Sequence, residues 1–204
     1  MRSMMRIAGL VVAGLVVLHA HAQPLGPDEL VKKVTEDVLA AVKSDKELAA
    51  GDRQKALQLA EEKVLPHIDF AEAARLAVGL AWRQASKEQR EQIVTEFRRM
   101  LVRTYSNSIQ RYEGQSVKVL PARMKPGDTD VTVRNQYLRP GQTALMVEYA
   151  MRKTEQGWKI YDIVVEGVSL VLTYRSEFDA IVKQQGIDGL IKRLAEKNAP
   201  AKAS

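Results

Sequence analysis

The chain has 204 residues, no cysteine and a formal net charge of +6. Without cysteine it can form neither a disulfide nor a lipid-modified cysteine anchor, so the fold must depend on burial of apolar side chains. Basic and acidic residues alternate along the chain and form no dense basic cluster, which argues against a nucleic-acid partner.

The first 22 residues have the pattern of a cleaved export signal. Two arginines precede the apolar run 7–18, and Ala20, His21 and Ala22 supply the small-x-small sequence that signal peptidase recognises. The run is shorter than the roughly 20 residues needed to cross a bilayer, so a retained membrane anchor fits less well. We expect cleavage between Ala22 and Gln23 and a soluble product outside the cytoplasm.

After this cleavage, residues 23–204 form the mature protein, and their length fits one domain with its own core. The signal segment contains two of the 31 basic residues and none of the 25 acidic ones, so the remaining net charge is +4. It also contains two of the three histidines, which leaves His67 alone. A metal site with several histidine ligands, or a Ser-His-Asp triad placed elsewhere in the chain, is therefore hard to build.

Apolar side chains recur with helical spacing in the first half of the chain and predict four helices, over 27–42, 52–65, 70–78 and 86–112. Their boundaries come from local signals, which are Pro27 in the first turn, the breaker Pro66, the C-terminal Gly79 and a capping box of Ser86 and Gln89. The longest of these helices is charged on the face opposite its apolar stripe, so one side should pack against the core.

After Gly114 the apolar residues alternate and predict strands near 116–120, 130–138, 142–153 and 158–165. Turn sequences at 139–141 and 155–157 join the last three strands as hairpins, which predicts an antiparallel meander. In the third strand Val147 and Tyr149 share one face with Leu145, whereas Glu148 lies on the other, so one side is covered by protein and one is wet. The last strand is apolar on both sides except at Asp162, and its alternation does not identify the inner face.

Two C-terminal helices, separated at Gly186, follow the strands, and residues 198–204 have the composition of a disordered tail. A block of strands with helices before and after it predicts the α+β class. We expect helices packed on one face of a curved, antiparallel, four-stranded sheet.

Several polar residues are candidates for chemistry or for the lining of a cavity. Asp162, if buried, would have a raised pKa and could act as a base, although a hydrogen-bonded structural aspartate is the commoner case. His67 follows a proline in a turn, which is more typical of a structural or surface histidine. Thr104, Ser108 and Asn135 accompany large apolar residues, a pattern typical of a cavity that holds an apolar ligand and orients one polar end.

Two ordered motifs carry a resemblance to a known family. The first is GLAWRQAS at 79–86, extended by Gln89-Arg90, Phe97-Arg98 and LVRTY at 101–105, and the second is WKIYDIVVEGVSL at 158–170, followed by Tyr174-Arg175 and Phe178. Together they resemble the toluene-tolerance family, the MlaC-type periplasmic phospholipid-binding proteins, over nearly the whole of residues 23–204. The likeness is weaker before Phe70 and at 123–130.

The resemblance implies a soluble periplasmic carrier and not an enzyme. It would shuttle glycerophospholipid between an outer-membrane lipoprotein-porin complex and an inner-membrane ABC transporter that holds an MCE-domain ring, and so maintain the lipid asymmetry of the outer membrane. The implied fold is an NTF2-like cone with extra N- and C-terminal helices, acting as a monomer with no metal and no cofactor besides its cargo. Two acyl chains carry about 30 methylenes whose exposure to water would cost of order 20 kcal/mol, so the slot must be enclosed and apolar.

The resemblance and the strand alternation together predict the residues of this slot, some of which should pack as core. They are Trp82, Phe97, Leu101 and Tyr105 near the long helix, Val133, Leu145, Val147, Tyr149, Ile163 and Val165 in the sheet, and Val168 and Leu172 after it. Two other functions stay open at this point. One is an NTF2-like lyase or isomerase that acts on a small apolar substrate through Asp162 and a nearby tyrosine, and the other is a ligand-free module that scaffolds envelope complexes.

Overall fold

The computed structural model describes residues 25–105, 116–138 and 141–199, and this part of the chain confirms the predicted α+β class. Its helices are α1 (Pro27–Ser44), α2 (Lys46–Ala49), α3 (Arg53–Lys63), α4 (Phe70–Val78), α5 (Lys87–Tyr105) and α6 (Leu170–Asn198). Its strands are β1 (Ser116–Val119), β2 (Asp130–Leu138), β3 (Leu145–Thr154), β4 (Gly157–Val165) and β5 (Val168–Ser169). The export signal with its cleavage site at Ala22 and Gln23, and the predicted continuation of the long helix over 106–112 with Ser108, lie outside the described residues.

Side-chain caps set the starts of the short N-terminal helices. Asp45 accepts hydrogen bonds from the backbone amides of Glu47 and Leu48 at the start of α2. Asp52 accepts one from the amide of Lys55 at the start of α3. The Lys55 ammonium of α3 lies 2.7 Å from carboxylate oxygens of both Asp45 and Glu47, so it joins α3 to the capped start of α2. The alternation of the sequence does not predict α2, because four residues are too few to show a helical period.

Helices α4, α5 and α6 pack around the largest group of buried apolar side chains, which we call the helical cluster. Phe97 on α5 contacts the rings of Tyr174 and Phe178 on α6 edge-on, with ring centroids 5.3 and 5.4 Å away. Small alanines on α4 allow the helix axes to approach closely. The buried members of the helical cluster are Ala73, Ala74, Ala77, Val78, Ile93, Phe97, Met100, Leu101, Val171, Phe178, Leu190 and Leu194.

The sheet is an antiparallel meander in the order β1-β2-β3-β4-β5, as the hairpin sequences predict. The fifth strand adds to the four predicted ones, because its two residues are too few to show an alternation. It pairs with the end of β4 across a tight turn at Glu166 and Gly167, both of which have positive φ. The sheet is therefore extended by β5 at the point where α6 begins.

One extra residue in β4 explains why its alternation does not identify a face. Ile163 pairs with Tyr149 of β3. Three residues earlier, Ile160 pairs with Met151, and Tyr161 between them has no partner in the ladder. Such a bulge reverses the alternation, so Ile160 and Ile163 lie on the same side of the sheet.

Helix α1 covers one end of the face of the sheet that carries Val133 and Met151, which we call the inner face. Val31 of α1 packs there with Val133, Met151 and Trp158 in a second group of buried residues, the sheet cluster. Val31 belongs to the apolar stripe that the sequence places on one side of this helix. The first helix therefore closes one end of the sheet.

The opposite face of the sheet is wet, as the alternation in the third strand predicts. Arg134 and Glu148, which are paired across β2 and β3, form an ion pair with an N–O distance of 2.6 Å, and both side chains are partly exposed. An exposed pair of this kind stabilises the fold by at most about 1 kcal/mol. Its clearer role is to keep these charges on the solvent side.

Helix α6 is interrupted at Gly186, where the sequence predicts the boundary between two helices. Gly186 has a φ of 72°, a left-handed conformation that glycine adopts without steric cost. The predicted start of the disordered tail at residue 198 is wrong. Asn198 is the last residue of α6, and its amide donates to the carbonyl oxygen and the carboxylate of Glu96 at 2.9 and 2.7 Å, which fixes it to α5.

Candidate functional site

A row of side chains, apolar except for Asn135 at its buried end, crosses the inner face of the sheet from the interior to solvent. Strand pairing places Asn135 of β2, Val147 of β3 and Val165 of β4 side by side on this face, and Val168 of β5 continues the row. The exposed fraction rises along it, from 0% at Asn135 and 7% at Val147 to 38% at Val165 and 64% at Val168. We call these four residues the cross-sheet row. Its shape is that of a path by which an apolar group could reach the interior.

Two tyrosines flank the cross-sheet row on opposite sides. Tyr137 lies in the pairing row of Leu145, and Tyr149 lies in the pairing row of Val133 and Ile163. Their hydroxyl oxygens are 2.9 Å apart, so the two long side chains are hydrogen-bonded to each other. Burial raises the pKa of Tyr149 well above its usual value, and the neighbouring Tyr137 adds to this shift while the Asn135 amide opposes it. The Tyr149 hydroxyl therefore keeps its proton at neutral pH.

Asn135 is the buried polar residue of this region. Its side chain has no exposed surface, and neither its amide nitrogen nor its amide oxygen has a hydrogen-bond partner of normal geometry among the described residues. The amide is close enough to the Tyr149 hydroxyl to influence its pKa, so the three polar groups form one cluster. We call Asn135, Tyr137 and Tyr149 the polar cluster.

The structure divides the predicted slot residues into two sets. Trp82, Phe97 and Leu101 belong to or pack against the helical cluster, and Val133 and Tyr149 do the same in the sheet cluster. Trp82 is also held by Arg90, whose guanidinium lies 5.6 Å from the ring centroid and donates to the Trp82 carbonyl oxygen. The other seven residues are in neither of these described clusters, and they are Tyr105, Leu145, Val147, Ile163, Val165, Val168 and Leu172.

Tyr105 and Leu172 lie at exposed borders. Burial raises the pKa of Tyr174, and the neighbouring Tyr105 hydroxyl adds to this shift. Since Tyr174 packs on Phe97, Tyr105 marks the edge of the helical cluster. Leu172 is exposed in the first turn of α6, directly after β5. Exposed apolar side chains thus extend from the outer end of the cross-sheet row into the first turn of α6.

Asp162 is a structural residue in this fold. One carboxylate oxygen accepts hydrogen bonds from the amides of Ile163 and Val171, at 2.8 and 3.0 Å, and the other accepts one from the Ser169 hydroxyl. These bonds join β4, β5 and the first turn of α6. Because both oxygens are engaged at the junction, the geometry gives no support to Asp162 as a base that acts on a substrate.

The other titratable candidate of the sequence is His67. Burial, and then the charge of Lys159, lowers the pKa of His67, which favours its neutral form. Among the residues that the structure describes, no three His, Cys, Asp or Glu side chains come together as metal ligands. In the same part of the chain, no helix is both long enough and apolar enough to cross a membrane.

Sequence reasoning identified Asn135 and Tyr149 as separate candidates, but it did not predict that they meet each other and Tyr137. Tyr137 and Tyr149 alternate correctly with their neighbours, yet alternation along each strand does not say which residues of two strands meet. The register between β2 and β3 supplies this, and it offsets the two tyrosines by one row on either side of Asn135.

Comparisons with known proteins converge on one family. The family model described as MlaC protein matches residues 32–196. The chain is 20% identical over 193 residues to the intermembrane phospholipid transport system binding protein MlaC of Haemophilus influenzae, covering 93% of this chain and 90% of the relative. It is 24% identical over 168 residues to the toluene tolerance protein ttg2D of Pseudomonas putida, covering 79% and 75%.

A solved structure is similar as well. It is the phospholipid-binding protein from Ralstonia solanacearum in complex with a phospholipid, and it matches with a TM-score of 0.77 and 35% sequence identity. The match covers 85% of this chain and 97% of that one. The family model spans the N-terminal helices, the sheet and α6 alike, so the agreement concerns the fold as a whole. The chain belongs to the MlaC protein family.

Proposed function

We propose that this protein is a periplasmic carrier that binds glycerophospholipid as cargo and catalyses no reaction. The observation that carries the proposal is the structural match, at 35% identity, to a protein solved with a phospholipid bound. The transport function named for the Haemophilus relative supports the same reading. The carrier would act as a monomer and as a single domain over residues 23–204.

The inner face of the sheet supports this proposal physically. Val147, Val165 and Val168 form an uncharged surface that begins in solvent and ends in the interior. Each methylene removed from water there stabilises the bound lipid by about 0.8 kcal/mol, so two acyl chains gain a large total. The polar headgroup can remain in water. Capture of the chains alone thus accounts for tight binding without a charged site.

A carrier of this kind needs donors and acceptors of lipid on both sides of the periplasm. We propose that these are an outer-membrane lipoprotein-porin complex and an inner-membrane ABC transporter with an MCE-domain ring. Transfer between them would maintain the lipid asymmetry of the outer membrane. A water-soluble protein is required because an unaccompanied phospholipid exposes its acyl chains to water at a cost of order 20 kcal/mol.

The export part of the proposal predicts the mature N-terminus. The protein released by osmotic shock should begin at Gln23, because Ala20 and Ala22 occupy the small-residue positions that signal peptidase reads. Intact-mass spectrometry measures this directly. Ala22→Arg should leave the signal attached, since the large side chain blocks recognition. A natural chain that retains Met1 and sediments with membranes would contradict export.

The carrier function predicts lipid in the purified protein. Protein prepared from cells without detergent should contain a stoichiometric amount of phospholipid and release it slowly, because the chains must leave through water. Organic extraction followed by mass spectrometry gives the lipid-to-protein ratio. Lipid-free protein that turns over a small carbonyl substrate, with the turnover lost in Asp162→Asn, would instead favour the lyase or isomerase.

A further inference from the structure

The polar cluster lies where an apolar cargo would travel, and this location is unusual for an unpaired amide. Asn135 has no exposed surface and both of its side-chain polar atoms lack a partner of normal geometry among the described residues. It stands at the inner end of the cross-sheet row, beside the buried Val147. A buried amide without partners destabilises a fold, so such a residue calls for a function that compensates for it.

The chemistry of the polar cluster is neutral and rich in donors. One of the Tyr137 and Tyr149 hydroxyls donates its hydrogen to the other, so the hydrogen of the second hydroxyl stays available as a donor. The Asn135 amide has two further N–H donors. The positions that pair with the cluster on the inner face are Val117, Val119, Val133, Leu145, Val147 and Ile163, none of which is charged. A phosphate would be buried there without a counter-charge, which is unfavourable. A carbonyl oxygen, which only accepts hydrogen bonds, fits these donors.

We propose that Asn135 and the Tyr137–Tyr149 hydroxyl pair bind an ester carbonyl oxygen of the acyl lipid. This inference rests on the proposed carrier function and adds to it a polar contact that fixes the cargo along the slot. A phospholipid places its ester carbonyls next to the acyl chains, so an oxygen can reach the cluster while the chains stay on apolar surface. The site then distinguishes lipids by their linkage, independently of headgroup.

The direct test is a competition between two lipids that differ only in this oxygen. The full-length exported protein is incubated with mixed vesicles that contain equal amounts of diester phosphatidylethanolamine and of its diether analogue with the same chain lengths. The protein is then separated and both lipids are measured by mass spectrometry. We expect the natural chain to take up about tenfold more diester than diether, the value of one additional buried hydrogen bond.

Variants assign the preference to the cluster. Asn135→Leu replaces the amide by an apolar group of similar size and should bring the diester-to-diether ratio close to one. The double variant Tyr137→Phe with Tyr149→Phe should do the same, and it tests the site if Asn135→Leu does not fold. Gln136→Leu is the matched control, because this amide is the next residue on β2 and faces the opposite side of the sheet. It should keep the tenfold preference.

Thermal unfolding of lipid-free protein is a second readout. Asn135→Leu should raise the unfolding midpoint, because it removes an unpaired buried amide. A lower midpoint would show that the amide already has a structural partner and would overturn the carbonyl site. Equal uptake of the two lipids by the natural chain, or an unchanged preference in Asn135→Leu, would also overturn it. Failure of the folded natural chain to take up either lipid would instead refute the carrier function itself.

Discussion

Val147→Trp should give a folded, exported protein that co-purifies with at least about tenfold less phospholipid than the natural chain. Val147 is buried, yet it belongs to neither the helical cluster nor the sheet cluster. An indole added there should occupy the volume that an acyl chain uses. In a solid core, the same overpacking would cost about 1 to 3 kcal/mol of unfolding free energy. In an open slot we expect a loss below about 1 kcal/mol.

Two controls separate blockage of the slot from general damage to the sheet. Glu148→Gln removes the exposed ion pair with Arg134 on the wet face and should keep normal lipid content. Thr132→Trp adds the same indole at an exposed position of β2 on that face and should also keep it. The measurements are the lipid-to-protein ratio by mass spectrometry and thermal unfolding. Full lipid content in a stable Val147→Trp protein would show that the cargo lies elsewhere.

Phe97→Ala should lower the free energy of unfolding by about 3 to 5 kcal/mol, the usual cost of deleting a fully buried aromatic ring. Phe97 fills the space between α5 and α6 against Tyr174 and Phe178, so its removal leaves a cavity that rigid helices close only in part. Below the unfolding midpoint, the lipid content per folded molecule should change little. Chemical denaturation together with lipid extraction measures both quantities.

The control for Phe97→Ala is Leu172→Ala. Leu172 is exposed in the first turn of α6, and truncation of such a side chain normally changes stability by less than about 0.5 kcal/mol. If Phe97→Ala instead gave a small loss of stability and a large loss of lipid, Phe97 would line the slot, as the sequence predicts.

The long helix shows what periodicity can predict about a site. Phe97 and Tyr105 lie on one apolar stripe of α5, but Phe97 is fully buried whereas Tyr105 is 41% exposed. Spacing assigns both residues to the same side of the helix, and this assignment is consistent with their link through Tyr174. How far the covering helices extend along that side depends on tertiary packing, which the local sequence does not encode. The predicted lining therefore mixed core residues with exposed ones.

The sheet shows the same division between local and distant information. Alternation placed Val147 and Glu148 on opposite faces correctly, because β3 is paired regularly around them. In β4 the alternation failed at the bulge, since one unpaired residue reverses the faces and only the pairing with β3 reveals it. The polar cluster depends on register as well, because Tyr137 and Tyr149 meet across two strands.

The unpaired Tyr161 also determines where the negative charge of β4 lies. With it, Ile163 and Val165 point to the inner face, and Asp162 is turned to the junction, where it binds the Ser169 hydroxyl and the amide of Val171. If the same residues paired with β3 without the bulge, regular alternation from Ile160 would turn Asp162 to the inner face, where an ionised carboxylate is strongly unfavourable. The bulge thus keeps the inner face around the cross-sheet row free of charge. The Asp162 carboxylate instead joins β4 to β5 and to the first turn of α6.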